Sequence, residues 1–209
     1  MRTHRLGSSG PRVSMLALGC MGMSDLYGPA DRTEAIATIH AALDAGVNLL
    51  DTGDFYGMGH NEMLICEALR GRPRDETVIS VKFGALRDLS GNFAGVDTRP
   101  VAIRNFLTYT LRRLGTDHVD IYQSARLDPN VPIEETVGAM ADLVKAGHVR
   151  HIGFPRSAPR LCGVPRRCTP FATCKSNMLS SRAASRPRSF QPAASSESGS
   201  RPMACWRAA

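Results

Sequence analysis

Asp51, Tyr56 and Lys82 are the side chains of this sequence whose types and spacing could carry out a reaction. Asp51 ends the apolar run VNLLD (Val47–Asp51), Tyr56 lies five residues on, and Lys82 ends TVISVK (Thr77–Lys82). A phenol is a poor acid near neutral pH, with an unperturbed pKa of about 10. A neighbouring ammonium favours the phenolate and lowers that value, and a carboxylate beside the ammonium keeps it charged and in place. Such a trio could give a proton to a carbonyl oxygen while hydride arrives at carbon. A solvated aspartate, a loop tyrosine packed on its neighbour and a surface lysine fit the same spacing, and spacing alone does not choose.

To meet in one pocket, the three must sit on neighbouring elements, and the pattern supplies them. LALG (Leu16–Gly19) reads as a short strand, and Asp31 with Glu34 three residues on reads as a helix start. Ile36, Ile39, Ala42 and Leu43 then recur at helical spacing up to Gly46. VNLLD is a second strand, Asn61–Arg70 a second helix and TVISVK a third strand. Pro100 opens a helix that Gly115 ends, VDIYQ (Val119–Gln123) is a fourth strand, Pro132 opens a helix closed by Gly147, and VRHIG (Val149–Gly153) is a fifth strand. Strands apolar on both faces and joined by helices predict a parallel sheet. The first strand is followed by GCMGM (Gly19–Met23), not G-x-G-x-x-G, so the dinucleotide fingerprint of the open doubly wound sheet is missing. That favours a barrel, whose chemistry collects at the carboxyl ends of its strands.

The pattern stops at about Gly153–Phe154. The 209-residue chain carries a net charge of +7, but residues 154–209 alone carry +9 and residues 1–153 carry −2. Seven of the thirteen prolines and four of the six cysteines also fall after Gly153, so basic character belongs to an irregular Arg/Pro/Ser/Cys-rich tail. Cys162, Cys168 and Cys174, six apart, match no zinc-ligand spacing, and Cys20 and Cys66 read as small apolar fillers. No metal site is expected. No apolar run is long enough to span a bilayer, and MRTHRLGSSGPRVSM has no secretory h-region, which predicts a cytoplasmic protein with no membrane partner.

DTGDFYGMGHNE (Asp51–Glu62), with LALGCMGM before it and VISVKFG after it, resembles the aldo-keto reductase family. The likeness runs from LGSSGPRVSMLALG through LVKAGHVRHIG at 144–153, nearly all of the first part. It implies an α/β fold of the (β/α)8 TIM-barrel type with an N-terminal hairpin, an NADPH cofactor and a small carbonyl substrate. By matching position it makes Tyr56 the proton donor, with Lys82 and Asp51 tuning and orienting it. Cys20 and Met21, with Asp51, match positions at the nicotinamide end. One position departs: where the family usually has a histidine after the fourth strand, QSARLDP (Gln123–Pro129) places Ala125, which cannot donate a hydrogen bond to a carbonyl. His60 and His148 are expected at the surface and are no substitutes.

Only about five β/α units are visible, a partial barrel over 1–153. Beyond it, a stretch the family commonly carries, DLQIEYALISRGIE, has a coding that gives TCKSNMLSSRAAS when read one base later, and that is Thr173–Ser185. AYGVLARGL read with the same slip gives PMACWRAA, which is Pro202–Ala209. The tail is therefore expected to be a frameshift product with no specific nucleic-acid role, despite its arginines. A half-barrel would leave the first and fifth strands unpaired, and the polar tail is expected to be unable to cover them. These expectations give a reductase by descent with impaired or lost activity, open to chaperones or self-association at its strand edges. The alternative is a non-catalytic fragment, inert or partner-binding. The carbonyl substrate is not legible.

Overall fold

The computed structural model describes residues 1–155, apart from Ser8, Asp25 and Leu26, together with the backbone of Met178–Ser180. The chain opens with a hairpin of β1 (Thr3–Arg5) and β2 (Arg12–Ser14), paired antiparallel with Thr3 opposite Ser14. Gly10 closes it by donating to Leu6 O at 2.9 Å, and a Cβ there would stand 2.1 Å from that oxygen, so only glycine fits.

The β/α alternation follows as the apolar pattern requires. β3 (Ala17–Gly19) leads to α1 (Arg32–Asp44), whose first turn is capped by Asp31 Oδ1 accepting from Glu34 N at 2.8 Å. β4 (Leu49–Gly53), α2 (His60–Ala68) and β5 (Val78–Phe83) come next, and then α3 (Pro100–Leu114), with Pro100 in its first turn and Gly115 left-handed at its end. A second hairpin, β6 (Ala85–Arg87) with β7 (Phe93–Val96), sits between β5 and α3 and has no counterpart in the sequence pattern. β8 (Val119–Ser124), α4 (Ile133–Lys145) and β9 (Val149–Gly153) complete the series. β4 begins two residues later than expected because α1 ends in a Schellman motif. Gly46 N donates to Leu43 O and Val47 N to Ala42 O, both at 2.9 Å, so Val47 belongs to the helix cap.

The strands form one parallel sheet in the order β10-β3-β4-β5-β8-β9, where β10 is Met178–Ser180. β10 corrects one expectation: the first barrel strand is paired on both sides, since Met178, Leu179 and Ser180 lie opposite Ala17, Leu18 and Gly19. Three rungs of backbone pairing need no alternating pattern, and so a polar tail can supply them. At the other edge β9 has no second neighbour among the described residues. The other expectations for residues 156–209, the three spaced cysteines included, lie outside the described residues.

Two apolar layers hold the sheet. Between sheet and helices lie Ile39, Leu50, Ile65, Val81, Phe83, Leu107, Tyr122 and Met140, all essentially inaccessible to water. The opposite layer is smaller: hairpin residues Leu6 and Val13 close over Ala17, Leu49, Val78 and Ile121. That lid leaves the carboxyl ends of the strands to polar residues.

Asp120, inside an otherwise apolar strand, ties three elements together. Its Oδ2 accepts from Arg74 Nη2 at 2.7 Å and from Ile79 N at 2.9 Å, and its Oδ1 from Arg150 Nη1 at 3.2 Å. Asp120→Ala is expected to cost about 2–3 kcal/mol, below the figure for a fully enclosed pair because both arginines keep access to water. Urea denaturation measures the loss, and Asp120→Asn, which still accepts from Ile79 N, should lose less.

Candidate active site

Strand register brings the three candidate residues together. Asp51 on β4 stands opposite Ser80 on β5, Gly53 opposite Lys82, and Lys82 in turn opposite Gln123 on β8. Side chains two apart on a strand share a face, so Asp51, Ser80, Lys82 and Gln123 converge on one side of the sheet, at the strands' carboxyl ends. Asp51 is buried, and its Oδ2 takes a hydrogen-bonded ion pair from Lys82 Nζ. Its Oδ1 accepts from Gln123 Nε2 at 3.2 Å and from Ser80 Oγ at 3.3 Å, and Gln123 Nε2 also reaches Ser80 Oγ at 3.1 Å. The carboxylate is thereby held on both oxygens.

Tyr56 opens a short 3₁₀ turn, Tyr56–Gly59, directly after β4. Asp54 N donates to Lys82 O at 2.9 Å, which fixes the exit of that strand against β5. The Tyr56 ring is buried edge-on against Phe55, centroids 4.8 Å apart, and Lys82 Nζ lies 5.6 Å from the ring centre. Glycine at position 53 leaves room for this, because a Cβ would crowd the rings of Tyr56 and Phe55 at 3.1–3.2 Å and make them give way by a few tenths of an ångström.

The electrostatics differ from the expectation in one respect. Burial raises the Tyr56 phenol above its ordinary value; the Lys82 ammonium opposes this and does not prevail, and Asp51 adds to the rise. Tyr56 is thus a neutral donor at neutral pH, not a phenol drawn down toward it. Burial works against the Lys82 ammonium, but Asp51 and then Tyr56 outweigh it, and the ammonium is held above the usual lysine value. The site is a firmly charged lysine pinned by a carboxylate beside a firmly protonated phenol.

The other named residues divide. Cys20 lies with its thiol in the core, donating to Leu18 O at 3.7 Å, while its N–H donates to Asp51 O at 2.9 Å. Met21 is half-buried, with Tyr27 Oη 4.0 Å from its sulfur, and it is the one of the two whose side chain reaches the surface. His60 and His148 are exposed, as expected. Ala125 carries only a methyl group, its N–H spent on Phe83 O at 2.8 Å, and neighbouring Ser124 Oγ turns back to Arg126 O. Among the described residues no group of three side chains could hold a metal ion, and no helix is long and apolar enough to cross a membrane.

Two contributors escaped the sequence reading. Gln123 was legible only as the last residue of a strand, and its polarity at that position was the available signal. Asn61, wholly buried at the start of α2, accepts from Thr52 Oγ1 at 2.6 Å and donates to Cys20 O and Ser24 Oγ, each at 2.8 Å. It ties the loop after β3 to β4, and nothing in its spacing announces that role.

Set beside known proteins, the chain has a clear place. The sequence profile of the aldo/keto reductase family matches residues 15–161, well over half the chain. A probable aldo-keto reductase of Glycine max is 37% identical over 158 residues, 74% of this chain and 45% of that protein. An aldo-keto reductase from Bacillus halodurans, solved in its holo form, superposes with a TM-score of 0.66 at 34% identity, over 74% of this chain and 50% of its own. The glycerol dehydrogenase of Gluconobacter oxydans gives 0.71 at 29% identity, over 85% and 54%. The chain belongs to the aldo/keto reductase family, with the parallel β/α sheet of its TIM barrel. It spans about half the length of the relatives it matches.

Burial fixes the reactivity of the cysteine at the rim. Desolvation, with Asp51 adding to it, pushes the Cys20 thiol up to about 12, so it carries almost no thiolate at neutral pH. Iodoacetamide at pH 8 should leave Cys20 unlabelled in the native chain and label it on denaturation, as peptide mass spectrometry would report. Half-buried Cys66 should label first, and equal native rates for the two would contradict this account.

Proposed function

We propose that this site performs the proton-delivery step in the NADPH-linked reduction of an aldehyde or ketone to an alcohol. The observation that carries the reading is the buried Asp51–Lys82 pair set against the Tyr56 phenol at the carboxyl ends of adjacent parallel strands. NADPH, when bound, supplies hydride to the carbonyl carbon. Tyr56 Oη gives its proton to the oxygen, so the C=O π bond is replaced by one C–H and one O–H bond. Lys82 stabilises the charge developing on the oxygen, and Asp51 keeps Lys82 charged and in place. The donor set suits that end of the cofactor: a phenol and an ammonium for the substrate oxygen, with the half-buried Met21 side chain as an apolar flank.

Two features support slow turnover in this chain. Ala125 offers no second donor to the carbonyl, and Gln123, the nearest amide on the same strand, is committed to Asp51 and Ser80. The chain spans about half the length of the solved relatives, and the family resemblance implies that contacts to the adenosine phosphate come mostly from the other half. The competing reading, a non-catalytic fragment that is inert or binds a partner, draws on the outer edge of β9, which has no second neighbour among the described residues. It also fits a one-base slip near codon 154 of a reductase gene. A nucleotide sequence without a family-like second frame downstream of that codon removes the slip from consideration.

NADPH titration followed by quenching of protein fluorescence separates the two readings. Saturable binding in the micromolar range is the outcome for a reductase site, and no saturable binding is the outcome for an inert fragment. Where turnover is measurable, Tyr56→Phe should lower it by about 10²–10⁴-fold with cofactor affinity retained, and an unchanged rate would remove Tyr56 from the reaction. Because burial holds the phenol protonated, loss of the Tyr56 proton itself should slow reduction only above the ordinary phenol range of about 10. A fall near pH 7–8 in kcat that persists in Asp54→Asn would show a different acid.

A further inference from the structure

Behind the site, on the helix side of the sheet, lies a second cluster of ionisable groups that the reaction does not use. Asp54 follows β4 and is nine-tenths buried, Glu62 on α2 is wholly buried, and Arg113 comes from α3. Arg113 Nε pairs with Glu62 Oε2. Glu62 Oε1 and Asp54 Oδ2 are left without a hydrogen-bond partner. The other polar groups bearing on the pair are Thr110 of α3, the backbone N–H of Phe55 and the buried phenol of Tyr122 on β8. Two buried carboxyls thus face one guanidinium, and each has an orphaned oxygen. A single proton on Asp54 removes the excess charge.

The cluster grips the segment that carries Tyr56. The turn after Tyr56 is left-handed at Gly57 (φ 55°), at Met58 (φ 52°) and at Gly59 (φ 96°), and methionine in that conformation is strained by about 1–2 kcal/mol. Such a turn persists only where its surroundings over-determine it. Arg113 is the surface it rests on: a Cβ at Gly59 would stand 2.6 Å from Arg113 Cδ and 2.7 Å from its Nε. Asp54 holds the other end, two residues before Tyr56, with its N–H on Lys82 O.

We propose that Asp54, Glu62 and Arg113 form a buried clamp holding one proton, which positions Tyr56, and that ionising Asp54 releases the 54–60 turn. The clamp rests on the reading of Tyr56 as proton donor only for its consequence in catalysis. Burial first, then Glu62, push the Asp54 carboxyl up to about 8, with Arg113 and the Phe55 N–H opposing. With the turn open, Asp54 meets water and returns to the ordinary aspartate value of about 3.9. The closed turn therefore keeps a proton that the open turn releases. Between those two values opening grows more favourable as pH rises, by at most about tenfold per unit, and it levels off above the higher one.

Hydrogen exchange of the full chain tests this directly. After correction for intrinsic rates, protection of the Asp54, Met58 and His60 amides should fall at least tenfold between pH 5.5 and 8. The amides of the β1–β2 hairpin should change far less. Asp54→Asn, which mimics the protonated acid, should make protection at 54–60 independent of pH. Glu62→Gln removes the competing charge, lets Asp54 ionise against Arg113, and should flatten the profile as well. A uniform fall across the molecule would show a merely structural contribution, and pH-independent protection in the unaltered chain would show no held proton. Either result overturns the proposal. The exchange measurement reads the turn whether or not the chain turns over substrate, so its failure is distinct from a failure of Tyr56→Phe to affect turnover.

Discussion

Asp51, and after it Tyr56, outweigh the burial that works against the Lys82 ammonium, and most of the site's geometry serves the Asp51–Lys82 pair. Removing an ammonium from water is costly, and the carboxylate returns that energy only when both its oxygens are held in place. Here one oxygen takes Lys82 and the other takes Gln123 and Ser80, contributions from the two strands that follow β4 in the sheet. Parallel register makes this possible without loops. The residues lie on one face, at matching heights on β4, β5 and β8. A one-residue slip of β5 against β4 would send Lys82 to the helix side and leave Asp51 as an unpaired buried charge. Sheet register and ion pair therefore enforce each other.

Tyr56 is governed by a different kind of constraint. It lies beyond the strand, on a turn with three successive left-handed residues, where no ladder fixes it. What holds it is contact: Phe55 across the ring, Gly53 small enough beneath, Asp54 anchored to β5, and Arg113 packed against Gly59. The phenol thus depends on residues from α2 and α3, on the far side of the sheet from its own chemistry. The two faces of β4 and its exit loop carry opposite duties, with charges that react on one and charges that brace on the other.

Much of this was legible in the sequence. The five strands of the partial barrel, their helices, the Asp31 cap and the stops at Gly46, Gly115 and Gly147 follow from apolar runs and turn chemistry. The trio followed from polar residues at strand ends. The two-residue shift of β4 was hidden because the Val47 amide is spent on the cap of α1. The β6–β7 hairpin was hidden because its strands are three and four residues long and joined by polar residues. Apart from Thr52 with Asn61, Gln123, Asn61 and Asp120 act through partners at sequence separations of roughly thirty to seventy residues, which no local pattern encodes. The direction of the Tyr56 shift depended on burial, and burial belongs to the fold. The pairing of β10 with β3 went unread because backbone hydrogen bonding leaves no mark in side-chain pattern.

The seam on the other side of β4 from Lys82 is the thinnest in the sheet. β4 and β5 are matched from Leu49–Val78 to Gly53–Lys82, whereas β3 and β4 are matched only at Leu18–Leu50 and Gly19–Asp51. One further backbone bond, Cys20 N to Asp51 O, extends that seam past the end of β3. Asn61 reinforces it from the side, since its amide spans Thr52, Cys20 and Ser24 and so joins β4, the loop after β3 and the start of α2. A buried amide that uses both ends in this way is costly to disrupt, because each partner would be left unsatisfied away from water. Asp51 is consequently positioned twice, through its carboxylate by β5 and β8 and through its carbonyl by a loop that Asn61 keeps in place. The second support makes a short first strand sufficient for a site that needs its carboxylate fixed.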